Sequence, residues 1–523
     1  MASLLFSMRL IVDLRACLGL LLAMAGAACG AGNDSADVAI QYHCAGSAWF
    51  ASNANLVTLH KVLALPSAAP IENLVLTRFA ASLDKGLNLK SNISAGPLLE
   101  PLLSNVFQAE SVAAFGNITT NAFDFILAFK LEASGAQTWH DTFDKAFGRP
   151  GEKFAVKGAE GWRWNREGSD TIWIVPAGEW LVTGRGREFA SLQGEYLDQI
   201  SRQGRPVPPL KDNWLETSFN LARLTAVLPE SLQLLKPAEV RMSVAGERDN
   251  LRITAQLNYP DAVNWAGGPM RMPKGLIKGP LVSFTAGHDV AAFLNMSPAF
   301  SHLPGNPLTN DFFAWASKQM TFLSYMAWPV ADTTNTLESL STEAVKDFSP
   351  ALKDFNGTEL RWLPNQKSLL LANLRVILPV LRPAPGEDDD FLILALFPPP
   401  PGNEPAPAEL AKQINGRTNL VYYDWELTGP RAQQWEMLGH MLLTRARKST
   451  PYVMRANRVL AKLRSDLAPL AGNTVTEVTR EAPDELSAER SGPLGFTGIE
   501  MFLLSEWLST LGAPADNSRP AAH

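Results

Sequence analysis

A Gly- and Pro-rich segment interrupts the sequence near its middle and limits how the chain can fold. Residues 266–280 read AGGPMRMPKGLIKGP and show no helix or strand periodicity. The chain has 523 residues, whereas a single hydrophobic core stops growing at about 250–300 residues. We therefore predict two domains, 29–265 and 281–511, with a linker at 266–280 and a mobile tail at 512–523.

The first 28 residues have the layout of a secretory signal peptide. Arg9 and Arg15 supply positive charge, and residues 16–28 form an uncharged stretch that ends in small residues. A membrane-spanning helix needs about 20 apolar residues, so this stretch is too short to be an anchor. We predict that residues 1–28 are removed and that the protein is exported. It would lie in the periplasm, at the outer membrane or outside the cell.

Cys29 has three alternative fates in an exported chain: lipidation, a disulfide bond, or removal with the signal peptide. It lies where a bacterial lipoprotein carries its lipidated cysteine, although Gly26 stands in place of the usual aliphatic residue. A lipid on Cys29 would attach the protein to a membrane. Unmodified, Cys29 could form a disulfide with Cys44 in an oxidising compartment. Three cysteines in total exclude a disulfide-framework fold.

Composition and charge restrict the class of protein and its partners. Hydrophobic residues make up 46% of the chain and charged residues 19%, so it can bury a large core. The net charge is −6, and it becomes −7 once the signal peptide is removed. Because no general basic field would attract a phosphate backbone, we expect no nucleic-acid partner.

Periodicity predicts an α+β fold of mostly antiparallel sheet with packed helices. Period-two alternation at Val240–Val244 and Leu251–Leu257 predicts one hairpin, and Val475–Thr479 with Leu486–Glu489 predicts another. Asn310–Met326 is predicted as a helix. Each half of the chain therefore has both strands and helices.

The two halves contain segments with a weak similarity, which suggests a diverged duplication. Phe123–Phe129 and Phe391–Phe397 are both predicted strands followed by a loop, a helix and another strand. Strands of similar composition resemble each other by chance, so duplication and coincidence both stay open.

A short set of segments resembles uncharacterised secreted bacterial proteins of the domain-of-unknown-function kind. The residues that carry the resemblance are Pro101–Val106, Glu110, Phe125–Leu131 and Trp139. They cover about a tenth of the chain and are mostly structural in character. The resemblance implies no activity.

Local motifs for metal, nucleotide or nucleophilic chemistry are missing from the sequence. No two histidines have the i, i+4 spacing of helical zinc ligands, and no nucleophile elbow or phosphate-binding loop occurs. We predict no metal, no cofactor and no nucleotide. His43 stands beside Cys44, but adjacent side chains of a strand point to opposite faces, so we do not expect a thiol–imidazole pair.

Four tryptophans fall on predicted neighbouring strands: Trp162, Trp164, Trp173 and Trp180. Flat indole faces on a sheet can stack on sugar rings or apolar ligands, so these four are candidate ligand-binding residues. The alternative is a core face, because aromatic residues also pack across strands.

Three functions remain as hypotheses. The first is a non-enzymatic envelope protein that binds or scaffolds, with an envelope protein or polymer as its partner. The second is a secreted hydrolase of carbohydrate or envelope polymer that uses a pair of carboxylates brought together by the fold. The third is a carrier of apolar ligands, suggested by apolar helices such as Ile499–Leu511.

Overall fold

The computed structural model has the predicted α+β fold with antiparallel strands. It describes residues 38–87, 96–119, 123–165, 171–186, 191–224, 227, 239–265, 267–289, 310–318, 324–342, 359–373, 378–387, 389–396, 404–443 and 451–509. The signal peptide, Cys29 and the tail at 512–523 lie outside these ranges, so the predictions for them stay predictions. None of the helices within these ranges is long and apolar enough to cross a membrane.

Eleven helices lie in the described ranges. They are α1 (Ala48–Ser52), α2 (Val57–Leu63), α3 (Ala68–Leu87), α4 (Gly96–Gln108), α5 (Ala133–Phe147), α6 (Ser191–Gln203), α7 (333–342), α8 (Ala408–Ile414), α9 (Thr428–Leu443), α10 (Pro451–Leu467) and α11 (Gly498–Ser509).

Strands are more numerous than helices. Those of the first half are β1 (Val38–Cys44), β2 (Ser111–Gly116), β3 (Asp124–Lys130), β4 (Glu152–Val156), β5 (Ala159–Asn165), β6 (Thr171–Ala177), β7 (Trp180–Gly186), β8 (Asn213–Asn220), β9 (Glu239–Glu247) and β10 (Asn250–Asn258). Those that follow are β11 (Lys278–Gly279), β12 (Leu281–Gly287), β13 (Phe312–Ser317), β14 (Ser324–Pro329), β15 (Glu359–Leu363), β16 (Ser368–Ala372), β17 (Val380–Pro385), β18 (Asp390–Ala395), β19 (Glu404–Pro405), β20 (Leu420–Leu427), β21 (Asn473–Ala482) and β22 (Glu485–Gly492).

Twenty of these strands form one continuous antiparallel sheet. Its order is β4-β5-β6-β7-β3-β2-β1-β8-β9-β10-β22-β21-β20-β12-β13-β14-β18-β17-β16-β15. The short strands β11 and β19 pair separately.

The strand order is the same in both halves of the chain. Read inward from the two edges, the halves are β4-β5-β6-β7-β3-β2-β1-β8-β9-β10 and β15-β16-β17-β18-β14-β13-β12-β20-β21-β22. Helices α5 and α7 follow the equivalent strands β3 and β14, and helices α6 and α8 precede the equivalent strands β8 and β20. We call β1–β10 the N-terminal unit and β12–β22 the C-terminal unit. The repeat of topology supports the duplication hypothesis.

A β-bulge identifies the equivalent residues of the two units. It lies between Asn213 and Leu215 where β8 meets β9, and between Leu420 and Tyr422 where β20 meets β21. Bulges alter strand twist and are retained features of a fold. Aligning the two bulges makes Leu215 equivalent to Tyr422, and the strand pairing extends this alignment across both units.

The units meet through the two hairpins that the sequence predicts, β9–β10 and β21–β22. Strand β10 pairs with β22 along its whole length, from Leu251 to Asn258. The alignment makes Thr254 equivalent to Glu489, and these two residues are also paired across the seam. A pseudo-twofold axis therefore passes through this pair.

The two similar sequence segments lie on strands that are not equivalent in the repeat. Phe123–Phe129 covers β3, whose counterpart is β14, and Phe391–Phe397 covers β18, whose counterpart is β7. Both segments are apolar strands inside the sheet, which explains why they look alike. The topology therefore supports duplication, but the two segments were wrongly matched.

Helices cover both faces of the sheet in each unit. In the N-terminal unit, α4 and α5 pack on one face around Phe129 and Trp164, while α6 packs on the other face around Val182. In the C-terminal unit, Leu337 of α7 packs on one face and Ile414 of α8 on the other. The apolar content of the sequence is used mostly to fill these cores.

The segment predicted as a linker is packed against the C-terminal unit. Met270 and Ile277 are buried in a core with Phe284 of β12. The backbone N–H of Gly267 donates to Oδ1 of Asp289 at 3.0 Å. The segment thus has a structural role beyond connecting the units.

The prediction of a helix at Asn310–Met326 is wrong. These residues include all of β13 and the beginning of β14. Phe313, Trp315 and Ala316 of β13 are all buried because helices cover the sheet on both sides. A strand buried on both faces loses its period-two alternation, and the run of apolar residues then resembles a helix.

Candidate functional site

The C-terminal unit encloses a group of charged side chains between its sheet and two helices, α9 and α11. Asp424 and Glu426 lie two residues apart on β20, so both project from the same face. Arg431 is on α9, Arg490 on β22 and Glu500 in the first turn of α11. We call these five residues the acidic centre.

The two carboxylates of β20 accept hydrogen bonds from different elements. The hydroxyl of Thr285 on β12 donates to Oδ1 of Asp424 at 2.6 Å. The backbone N–H of Gly498, the first residue of α11, donates to Oε1 of Glu426. Only 4% of Glu426 is exposed. Glu426 therefore joins β20 to the positive end of the α11 dipole.

Arg431 brings positive charge to the centre from α9. Its Nη1 donates to Oγ of Ser324 at 3.2 Å and to Oε1 of Gln434 at 2.8 Å. Its guanidinium also lies 4.6 Å from the ring centroid of Trp435. These contacts hold the cation in place beside the two carboxylates of β20.

Arg490 and Glu500 join the sheet to the first turn of α11. Nη1 of Arg490 donates to both carboxylate oxygens of Glu500, at 2.8 and 2.9 Å. Glu500 also accepts the backbone N–H of Thr497 at 2.8 Å, and the hydroxyl of Thr497 accepts the N–H of Glu500 at 3.4 Å. This reciprocal pair is a capping box, which fixes where α11 begins.

Burial changes the protonation of the centre. Burial, followed by repulsion from Asp424, raises the pKa of Glu426 from 4.5 to about 7, against the opposing effects of the Gly498 N–H and Arg431. Burial also raises the pKa of Asp424, although the Thr285 hydroxyl lowers it. The charge of Asp424 disfavours ionisation of Glu426, so the titrations of the two carboxyl groups are coupled.

The N-terminal unit provides an internal comparison for this cluster. The residues equivalent to Asp424 and Glu426 are Thr217 and Phe219, and the residue equivalent to Arg490 is Ala255. None of these three counterparts is charged. Because the same sheet forms without the charges, the acidic centre is a specialised feature of the C-terminal unit and not a requirement of the fold.

Helices α9 and α11 pack closely beside the centre. A Cβ atom on Gly498 would lie 2.6 Å from the backbone nitrogen of Ala432, and one on Gly439 would lie 2.3 Å from Cζ of Phe502. Neither position has room for a side chain. The close contact fixes α9 and α11 to each other above the sheet.

The same two helices belong to a larger helical surface, which we call the docking layer. It consists of α2, α3 and α4 of the N-terminal unit and α9, α10 and α11 of the C-terminal unit, which contact one another. Its interior contains apolar side chains from both units, such as Leu59, Leu463 and Met501. The layer therefore spans the two units.

Exposed apolar side chains concentrate on this layer. Seven large hydrophobic residues of the described ranges are exposed: Val57, Leu63, Phe107, Leu378, Met437, Phe496 and Leu504. Five of them are on helices of the layer, and Phe496 directly precedes α11. Only Leu378, between β16 and β17, lies elsewhere. Concentrated exposed apolar residues are typical of interaction surfaces.

Aromatic contacts link the two halves of the layer. The ring of Phe79 on α3 lies 5.3 Å from the ring of Phe107 on α4 and 5.5 Å from that of Trp507 on α11. The guanidinium of Arg78 lies 5.1 Å from the Trp507 ring centroid. Exposed Leu504 lies one turn before Trp507 on α11. The side chains from Phe107 to Leu504 therefore extend from the N-terminal unit to the C-terminal unit.

A second charged cluster lies at the end of β1 in the N-terminal unit. Glu110 accepts a 2.8 Å hydrogen bond from Arg205, and it contacts His43 at 3.0 Å and Lys130 at 2.9 Å. The hydrogen bond with His43, then Lys130 and Arg205, lowers the pKa of Glu110 to about 2 despite its burial. In the C-terminal unit Asp311 contacts His288 at the corresponding strand ends. This recurrence indicates a structural role.

We expect Glu110→Gln to lower the free energy of unfolding at pH 7 by about 1–3 kcal/mol, because His43, Lys130 and Arg205 lose their common anion. Because the pKa of Glu110 is lower in the folded protein than the ordinary value of 4.5, its carboxylate stabilises the fold fully above pH 4.5. This contribution disappears as the pH falls through about 2. Urea unfolding at pH 7 and pH 2 measures the difference. Equal losses at both pH values would contradict this role. Glu152→Gln, which breaks an exposed pair with Arg163, is the matched control and should cost clearly less than Glu110→Gln.

The structure divides the four predicted tryptophans between the two faces of the sheet, because Trp162 and Trp164 belong to the core with α4 and α5 and the other two belong to the core with α6. Most of their surface is used for packing. Trp164 is 1% exposed, and Trp173 and Trp180 are each 2% exposed. Trp162 is half-buried, with its ring 4.5 Å from His140. This burial favours the core interpretation over the stacking platform.

Cys44 and His43 point in different directions on β1. His43 contacts Glu110, whereas Sγ of Cys44 accepts the backbone N–H of Gly46 at 3.4 Å. Burial raises the pKa of the Cys44 thiol. Cys44 is a free cysteine in the described part, and the predicted alternatives for its pairing with Cys29 stay open. Nowhere in the described ranges do three or more His, Cys, Asp or Glu side chains form a potential metal site.

Sequence reasoning missed the acidic centre and the docking layer. The signal for the centre was present: Asp424 and Glu426 have period-two spacing in an otherwise apolar strand, LVYYDWEL. Charged residues inside a buried strand are unusual unless they are paired. The docking layer had no local signal, because it joins helices far apart in sequence.

Comparisons with known proteins leave the family open. No family model matches the chain, and no curated protein matches it significantly. This agrees with the resemblance to secreted bacterial proteins of no known activity. A solved structure described as crystal form I of TP0453 aligns with 46% of this chain and 79% of its own, at 12% sequence identity and a TM-score of 0.22. A similarity this low supports no conclusion about fold or function.

Proposed function

We propose that this protein is an exported, non-enzymatic binding protein of the bacterial envelope, and that it docks onto an envelope protein with its docking layer. The observation that carries the proposal is the placement of Leu504 and Phe107, both exposed, on one helical surface that spans the two units. The stability of the fold does not require exposed apolar side chains to be concentrated on the docking layer.

The chemistry of the layer favours a protein partner. Trp507, Phe79 and Arg78 contact one another at the unit boundary. Tryptophan, tyrosine and arginine are the residue types that dominate binding energy in protein interfaces. Because both units contribute, the surface forms only when the whole chain is folded.

The docking variants Leu504→Glu and Phe107→Glu should each weaken binding to isolated bacterial envelopes by tenfold or more, because each places a charge in an apolar contact, at a cost of about 1.4 kcal/mol or more. Co-sedimentation of the mature protein with envelopes measures this. Leu504→Glu should keep the thermal stability of the parent protein, since Leu504 is exposed, whereas Phe107→Glu should lower it slightly, because it removes the ring contact with Phe79.

Leu378→Glu is the matched control, because Leu378 is 40% exposed but lies outside the docking layer. It should bind as the parent protein does. Treating the envelopes with protease should abolish binding if the partner is a protein. Binding that persists on treated envelopes, or that Leu378→Glu weakens as much as Leu504→Glu, would contradict the proposal.

A hydrolase is the second candidate function, and the acidic centre is the observation that favours it. Asp424 and Glu426 are a carboxyl pair in which burial raises both pKa values, that of Glu426 to about 7, and a general acid requires a raised pKa. The pair faces α9 and α11, so substrate could reach it only if these helices moved. Release of soluble fragments from purified envelope polymer, abolished by Glu426→Gln, would support the hydrolase. Equal release by both proteins would reject it.

A further inference from the structure

The acidic centre has an odd number of charged groups. It contains three carboxyl groups, from Asp424, Glu426 and Glu500, and two guanidinium groups, from Arg431 and Arg490. Buried charges are tolerated when they are balanced. The charges of this cluster balance only when one carboxyl group carries a proton.

The geometry identifies where that proton lies. Both oxygens of Glu500 accept hydrogen bonds from Arg490, and Glu500 is partly exposed to solvent. Asp424 and Glu426 lie on the same face of one strand, where Glu426 is buried and Asp424 is half-buried beneath α9 and α11. The pair on β20 therefore holds the proton.

We propose that Asp424 and Glu426 share one proton, and that losing it loosens α9 and α11 from the sheet, so that pH controls the docking layer. The control of docking rests on the proposed function, whereas the effect of the proton on helix packing does not. Acidic conditions would keep the layer in its packed form, in which Trp507 contacts Phe79.

The coupling follows from the elements that meet at the centre. Glu426 accepts the first N–H of α11, and Gly498 of α11 packs against Arg431 and Ala432 of α9. Titratable or charged groups face the Asp424–Glu426 pair from every packed element: Tyr422 on their own strand, Arg431 on α9, Arg490 on β22 and Glu500 on α11. Glu506, farther along α11, is also buried. An unbalanced negative charge gains hydration if α11 moves away.

Hydrogen exchange of the α11 amides measures this opening in the full-length mature protein. The packed form binds the proton with a pKa of about 7, and the ordinary value for glutamate is 4.5. The opening equilibrium should therefore rise about tenfold per pH unit between these two values and level off above pH 7. Between pH 5 and pH 8, after correction for intrinsic exchange, we expect a change on the order of a hundredfold.

Glu426→Gln imitates the protonated carboxyl group, so its opening should stay low and independent of pH. Glu477→Gln is the control: Glu477 is on neighbouring β21 and pairs with Arg417 on the opposite face of the sheet, so the pH dependence should match the parent protein. Asp424→Asn should move the transition to lower pH, because it removes the repulsion that raises the Glu426 pKa. This variant keeps the test valid if Glu426→Gln does not fold.

Two results would overturn the inference. One is an opening equilibrium of α11 that still changes tenfold per pH unit in Glu426→Gln. The same holds for Asp424→Asn if its transition occurs at the same pH as in the parent protein. The other is envelope binding that is equal at pH 6 and pH 8 while α11 exchange changes, which would remove the control of docking. The exchange experiment contains no partner, so its failure would leave the binding results for Leu504→Glu and Phe107→Glu unaffected.

Discussion

Arg431→Met should lower the free energy of unfolding at pH 8 by roughly 2–4 kcal/mol, because it removes the cation that favours the charged forms of both carboxylates of β20. Methionine keeps an unbranched apolar side chain but loses the guanidinium and its contact with the Trp435 ring. The pH-dependent part of the change therefore reports on the charge interaction with Glu426. At pH 5 the loss should shrink, since Glu426 is then protonated. Urea unfolding at the two pH values measures both effects.

A double-mutant cycle isolates the interaction between Arg431 and Glu426. Adding Glu426→Gln to Arg431→Met should restore much of the lost stability, because the uncompensated charge is removed. Arg417→Met is the control, since the Arg417–Glu477 pair is about one-third exposed and should contribute less than about 1 kcal/mol. Additive effects of Arg431→Met and Glu426→Gln would refute the coupling.

Trp164→Ala should cost roughly 3–5 kcal/mol of unfolding free energy, as expected for a large aromatic side chain removed from a core. Trp164 is 1% exposed, stacks on Phe147 with ring centroids 5.8 Å apart, and donates its indole N–H to Oδ1 of Asp144 at 3.1 Å. Thermal or urea unfolding provides the measurement.

Trp162→Ala is the matched comparison, because Trp162 lies on the same face of β5 but is only half-buried. It should cost clearly less than Trp164→Ala. If Trp164→Ala left the stability unchanged and instead removed binding to a carbohydrate, the stacking platform would be correct and the core interpretation would fail.

The sequence predicted the class of fold and the hairpins at the seam, because these depend on local patterns. Val240–Val244 and Leu251–Leu257 alternate with polar residues, and this pattern specifies a strand directly. The strand β13 was mistaken for a helix because both of its faces are buried, which removes the alternation. Strand order could not be predicted, since it depends on pairings between distant residues, such as Thr254 with Glu489.

The candidate site was harder to predict than the fold. The closely spaced tryptophans of the sequence suggest a ligand-binding surface, yet Trp173 and Trp180 are core residues. The hydrolase hypothesis required two acids brought together by the fold, and Asp424 and Glu426 were visible as a pair in the sequence. What the sequence could not show is that Arg490 and Glu500 would be brought beside them through β22 and α11.

The docking layer arises where the two units have diverged. The N-terminal unit connects β1 to β2 with residues 45–110, and the C-terminal unit connects β12 to β13 with residues 288–311. Conversely, β20 and β21 are joined by residues 428–472, and β8 and β9 by residues 221–238. Each unit thus supplies helices from its own longer connection, and the C-terminal unit adds α11, which follows β22. Shared strands explain the fold, and the unshared helices carry the features that we assign to binding.

Site-specific photocrosslinking tests the docking claim most directly. A photoreactive residue placed at Leu504 of the mature protein, mixed with isolated envelopes, should yield a covalent adduct with an envelope protein. The same residue placed at Leu378, which is equally exposed but outside the layer, should yield none. Adducts that form at position 378 and not at position 504 would contradict the account.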